Sequence, residues 1–151
     1  MQLNTFDEIL DFAIQLEEKA IKFYGDLSEK VRSPVVKQVC LDLKAEEEKH
    51  KIKLLEVKEQ EIENFTVTPI NDLELAELLQ DIDFTKNDFS YQQALTLAMK
   101  REKFSAELYT KLATEAQDSQ LKDLFAFLAQ EEKSHKHKIE SEYDEIILKD
   151  N

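Results

Sequence analysis

The sequence predicts an all-α fold, an antiparallel four-helix bundle with a long crossover between its second and third helices. Three observations carry this. Only one Gly and two Pro interrupt 151 residues, of which 35% are charged and 42% hydrophobic, the composition of long amphipathic helices. Four stripes recur at alternating steps of three and four, the spacing of one helix face in a bundle. The first two stripes also return as the last two at a constant offset of 85 residues, with Leu10 answered by Leu95 and Leu43 by Leu128.

The first helix starts at a capping box, Thr5-Phe6-Asp7-Glu8, and its stripe is Phe6, Leu10, Ala13, Glu17, Ala20, Tyr24, Leu27 and Val31. Gly25 lies inside it at a cost of about 1 kcal/mol relative to Ala. Ser33-Pro34 ends it and starts the second, with Ser as N-cap and Pro at the first helical position. Val36, Cys40, Leu43, Glu47, His50, Leu54 and Val57 form that stripe, and the helix runs to the early sixties. So short a join between long helices implies an antiparallel pair.

Residues 64–89 change character. Phe65-Thr66-Val67-Thr68-Pro69-Ile70 reads as extended, and Asn71-Asp72-Leu73-Glu74 can start a short helix through about Gln80. A connection of this length can cross the whole bundle, so the third helix can begin at either end. Ser90-Tyr91-Gln92-Gln93 caps it, and Leu95, Ala98, Glu102, Ser105, Tyr109, Leu112 and Ala116 are its stripe. Asp118-Ser119 caps the fourth, which runs to about Leu148 with Leu121, Phe125, Leu128, Glu132, His135, Ile139 and Ile146 inward. The expected organisation is one domain over 1–151, with helical hairpins at about 5–63 and 90–148.

A net charge of −13 argues against nucleic acid or an anionic membrane surface as a partner. No apolar run approaches the roughly 20 residues of a membrane span, and the N-terminus lacks a signal-peptide pattern. The lone Cys40 excludes an intrachain disulfide and a Cys-based zinc or iron–sulfur site within one chain, and reads as a small buried hydrophobe. A reducing, cytoplasmic setting is expected.

Six polar residues interrupt the stripes: Glu17, Glu47, His50, Glu102, Glu132 and His135. Glu47-x-x-His50 and Glu132-x-x-His135 each put a carboxylate and an imidazole on one helix face. Buried carboxylates are costly and raise one another's pKa, whereas two divalent cations balance four of them. Carboxylate oxygen with imidazole nitrogen suits iron or manganese, and zinc can also bind. One Glu from each of two helices plus Glu-x-x-His from the other two is the ligand pattern of di-iron carboxylate bundles. There Glu47 and Glu132 bridge the metals, while Glu17 with His50 and Glu102 with His135 complete one shell each. Tyr24 and Tyr109, two turns along the faces of Glu17 and Glu102, can donate hydrogen bonds to ligands. Glu46, Glu48, Glu131 and His137 are expected in solvent, although Glu131 could substitute for Glu132. The Lys49–Lys53 and Lys133–Lys138 stretches read as helix surface.

The pattern Ala13-x-x-x-Glu17-x-x-Ala20-x-x-Phe23-Tyr24, with Glu47-x-x-His50, Glu102 and Glu132-x-x-His135, resembles the rubrerythrin branch of the ferritin-like superfamily. The resemblance implies a non-haem di-iron site reacting with hydrogen peroxide or dioxygen, in a homodimer or larger assembly. Two departures stand out. Rubrerythrins often carry a further Glu where this chain has Ser105, and often a four-Cys rubredoxin-like domain, for which there is no room here. Electrons must then come from an external rubredoxin-like or flavoprotein donor. The rival readings are a ferroxidase serving iron storage or delivery, and a metal-stabilised or metal-free bundle acting as an interaction or sensing module.

Overall fold

The computed structural model describes residues 2–72 and 74–149. Leu73, which the sequence places at the start of a short helix, lies outside them. The order is β1 (Gln2–Leu3), α1 (Phe6–Lys30), α2 (Pro34–Glu59), β2 (Ile70–Asn71), α3 (Leu75–Leu78), α4 (Tyr91–Glu115) and α5 (Ser119–Lys149). The fold is the expected ferritin-like bundle of four long helices.

The helix starts follow from local chemistry. Thr5 Oγ1 accepts from the Glu8 N–H at 3.1 Å, and the Glu8 carboxylate reaches back to the Asn4 N–H at 3.3 Å, one residue before the cap. Ser33 accepts from Val36 N–H, Ser90 from Gln93 N–H, and Asp118 from both Gln120 and Leu121. Helix α2 stops at Glu59, slightly before the expected end, and Glu61 (φ 47°) and Asn64 (φ 61°) turn the chain in the left-handed region.

All four stripes are buried, and α2 buries only its stripe. The apolar interior falls into two clusters. One joins Phe6–Leu16 of α1 with Leu54, Leu112 and Phe125; the other joins Tyr24, Leu27, Leu43, Leu95, Ile139 and Ile146. Each helix passes from one cluster to the other at its Glu, so the six polar residues lie between them. Cys40 is fully buried, as expected, and burial and then Glu142 push its thiol up to about 12.

The crossover travels the length of the bundle. Phe65 stacks on Phe6 with centroids 4.2 Å apart, whereas Phe84 packs 5.8 Å from Phe23, near the other end of α1. Helix α4 therefore starts at the far end, which makes α1 antiparallel to α4 and α2 antiparallel to α5. Two features of the crossover differ from expectation. Ile70–Asn71, placed by the sequence where the extended stretch meets a short helix, pairs antiparallel with Gln2–Leu3, and that helix holds only Leu75–Leu78. Buried Arg101 ends that helix, its Nε donating to the Leu78 carbonyl at 2.7 Å and its Nη2 to Gln80. The Thr68 N–H donates to Glu115 at 2.8 Å, and Lys19 pairs with Asp81 at 2.6 Å. Helix α1 also buries Ile9, Phe12, Leu16 and Phe23, a second apolar face, with Phe23 against Phe84 of the crossover and Phe12 against Phe104 of α4.

Candidate metal centre

Each helix brings its polar residues to mid-bundle by the periodicity that buries its leucines. Glu17, Glu47, His50, Glu102, Glu132 and His135 are all at most 2% exposed. One ligand atom from each of Glu47, His50, Glu132 and His135 falls within 4.8 Å of the others. The His50 and His135 rings stack 5.4 Å apart at 9°. Each turns Nδ1 toward the carboxylates. His50 Nδ1 lies 2.8 Å from Glu132, 3.2 Å from Glu47 and 3.9 Å from Glu17. His135 Nδ1 lies 2.8 Å from Glu47 and 3.8 Å from both Glu132 and Glu102. Glu47 and Glu132 thus approach both imidazoles, with Glu17 on the His50 side and Glu102 on the His135 side.

The expected tyrosines are there, but each serves the opposite half. Tyr24 Oη donates to Glu102 and Tyr109 Oη to Glu17, both at 2.7 Å. These bonds hold one oxygen of each carboxylate and leave Glu17 Oε2 and Glu102 Oε2 buried without a partner. Glu47 Oε1, His50 Nε2 and His135 Nδ1 are likewise unpartnered, and the 2.8 Å approach of His135 Nδ1 to Glu47 is off the hydrogen-bond direction. Apart from the hydrogen bond between His50 Nδ1 and Glu132, the inner ligand atoms approach one another without satisfying one another.

Electrostatics agrees. Burial, against hydrogen bonds from neighbours, brings the Glu17 carboxyl up to about 7. Burial and then the Glu102 charge push Glu47 and Glu132 well above the carboxylate range. Burial, with His135 and Lys53, lowers His50 to about 3. Burial and then the facing glutamates raise both tyrosines well above 10. Without a cation the pocket favours the neutral forms of Glu17, Glu47, Glu132 and His50. Divalent cations remove that constraint and fit the O/N donor set.

Two residues expected in solvent are not there. Glu46 is half-buried and hydrogen-bonded to His135 Nε2; Glu131 is half-buried, 3.7 Å from His50 Nε2. The signal was in the repeat, which sets Glu46 on Glu131, but their helical phase points away from the stripe. Nothing in the pattern marks Arg101 as buried either. Glu48 and His137 are exposed, as expected, and buried Ser105 sits on the inner stripe between Glu102 and Tyr109.

Comparison with known proteins bears on the fold and the family. Among solved structures, a hypothetical protein from Pyrococcus furiosus is 28% identical, with 95% of this chain and 90% of that one aligned at a TM-score of 0.73. A candidate ferritin-like diiron-carboxylate protein from Thermotoga maritima, 24% identical with 93% and 95% aligned, also has a TM-score of 0.73 and shares the fold. No curated protein matches the chain. The family model for rubrerythrin matches residues 8–143, across all four long helices and the crossover, and the chain belongs to the rubrerythrin family.

Proposed function

We propose that Glu17, Glu47, His50, Glu102, Glu132 and His135 hold two iron ions and that the protein is a rubrerythrin-like oxidoreductase acting on hydrogen peroxide or dioxygen. The supporting observation is the set of four buried, unpartnered ligand atoms (Glu17 Oε2, Glu47 Oε1, Glu102 Oε2 and His135 Nδ1) in the cluster between two apolar clusters, in a chain of this family. Bound iron supplies the electrons that reduce the O–O bond. The protein's residues do the rest. Glu47 and Glu132 span both positions, and Glu17 and Glu102 each close one. Tyr24 and Tyr109 fix one oxygen of each of these carboxylates and leave the other buried without a partner. The apolar clusters on either side keep bulk water from the centre.

An external rubredoxin-like or flavoprotein donor re-reduces the centre. The working unit is a homodimer or larger, acting in the cytoplasm. The test is peroxide consumption by iron-loaded protein with a chemical reductant. Consumption by the wild type and its loss in Glu47→Ala and Glu132→Ala support the reading. Iron-loaded wild type that leaves peroxide untouched, while oxidising added Fe(II) with dioxygen as a large closed shell, supports ferroxidase storage instead.

A further inference from the structure

The internal repeat makes the two halves of the centre look equivalent, but their imidazoles are held differently. His135 Nε2 is hydrogen-bonded to Glu46, a half-exposed carboxylate on the opposite hairpin. The repeat counterpart of Glu46 is Glu131, and it stops 3.7 Å short of His50 Nε2, which is buried without a partner. At the inner nitrogens the order reverses. His50 Nδ1 is engaged by Glu132 in a directed hydrogen bond of 2.8 Å, whereas His135 Nδ1 has none.

The sequence contains a cause. Lys138 lies 3.8 Å from Glu46 and braces it. Its repeat counterpart, Lys53, sits over the Phe127 ring, 4.6 Å from the centroid. Phe127 stands where the first copy has Asp42, so only one copy offers its lysine an aromatic face. Among the described residues no lysine pairs with Glu131 to brace it toward His50.

A carboxylate accepting from Nε2–H fixes the tautomer that leaves Nδ1 with a free lone pair. His135 is in this condition before any metal arrives. His50 must first give up its bond to Glu132 and has nothing to hold its outer nitrogen. We infer that the two halves take up divalent metal in order, the His135 half first, with Glu46 as the positioning residue that sets the order. This rests on the reading of the cluster as a two-metal site.

The experiment uses the full chain labelled with ¹⁵N-histidine, whose three imidazoles include exposed His137 as an internal reference. Long-range ¹H–¹⁵N spectra of the metal-free protein should show His135 protonated at Nε2. On titration with Zn(II), a redox-silent probe, the first equivalent should shift His135 and the second His50. Glu46→Ala should weaken the first step about 10–100-fold and erase the order, whereas Glu46→Gln, which keeps an acceptor oxygen, should preserve it. Glu131→Ala should leave both steps in place. Simultaneous shifts, or His50 first, overturn the ordering while leaving the metal site intact. Absence of any response to Zn(II) and to Fe(II) overturns the metal site itself. Should Glu46→Ala not fold, the wild-type order and the Gln variant decide.

Discussion

Tyr24 donates its phenolic hydrogen across the bundle to Glu102, and Tyr109 makes the same 2.7 Å bond back to Glu17. Each tyrosine thus anchors a carboxylate on the other hairpin, and the two bonds are related by the internal repeat. They tie α1 to α4 where the bundle is otherwise interrupted by charge. Tyr24→Phe and Tyr109→Phe each leave a buried carboxylate oxygen unpartnered. Each should cost about 1–3 kcal/mol in chemical denaturation of the metal-free protein, and about 10–100-fold in metal affinity by competition with a chelator.

Stability of the metal-free protein should depend on pH in a defined direction. Glu17 is raised from 4.5 to about 7, so its contribution is complete below 4.5 and is lost as pH rises through about 7; Glu47 and Glu132 act in the same sense. His50 is lowered from 6.5 to about 3, so its contribution is complete above 6.5 and is lost as pH falls toward 3. The two oppose each other between 4.5 and 6.5. Above 6.5 the carboxyls act alone, and stability should fall as pH rises. Denaturant midpoints measured with and without metal should diverge over that range, because cations hold the carboxylates in their charged form.

Metal removal should be visible in the melting temperature. A ligand at one hundred times its dissociation constant contributes about 2.7 kcal/mol per site, which is about 5–10 °C for a chain of this size. Adding Fe(II) anaerobically should raise the melting temperature and a chelator should reverse it. A melting temperature indifferent to both would favour the metal-free interaction-module reading.

Arg101 is an arginine buried for structural reasons, donating to the carbonyls of Leu78 and Gln80. Arg101→Met keeps the stem and removes the donors. It should cost about 1.5–3 kcal/mol and speed hydrogen exchange in the crossover more than in the helices. Uniform acceleration everywhere would show that the crossover is not a separately anchored unit.

Gly25 offers a change in the other direction. A Cβ there would meet the Lys44 side chain at 3.6 Å, an ordinary contact, and the backbone is helical. Gly25→Ala should stabilise by about 0.5–1 kcal/mol, read as a shift of the denaturation midpoint.

What could be read from the sequence follows from what periodicity measures. Spacing of three and four reports the one face that every helix turns to the bundle axis. It located the Val36–Val57 stripe of α2 residue for residue, and it picked Glu47 and His50 from a run of four acidic and imidazole side chains. It is blind to a second buried face. Ile9, Phe12, Leu16 and Phe23 on α1 form such a face, and Phe23 and Arg101 of α4 are engaged by the crossover, whose path is set by tertiary contacts such as Phe65 on Phe6. Pairing of Gln2–Leu3 with Ile70–Asn71 joins segments too short to leave an alternation. Glu46 and Glu131 lie one residue off the stripe, where helical phase alone argues for solvent. Only the partner helix brings a histidine nitrogen to them.

Anomalous scattering from crystals loaded anaerobically with Fe(II) tests the central claim most directly. The account predicts two iron peaks per chain between the Glu47 and Glu132 carboxylates, one on the His50–Glu17 side and one on the His135–Glu102 side, with both lost in Glu47→Ala. No peak among these six residues, or iron bound only at the surface, would contradict it.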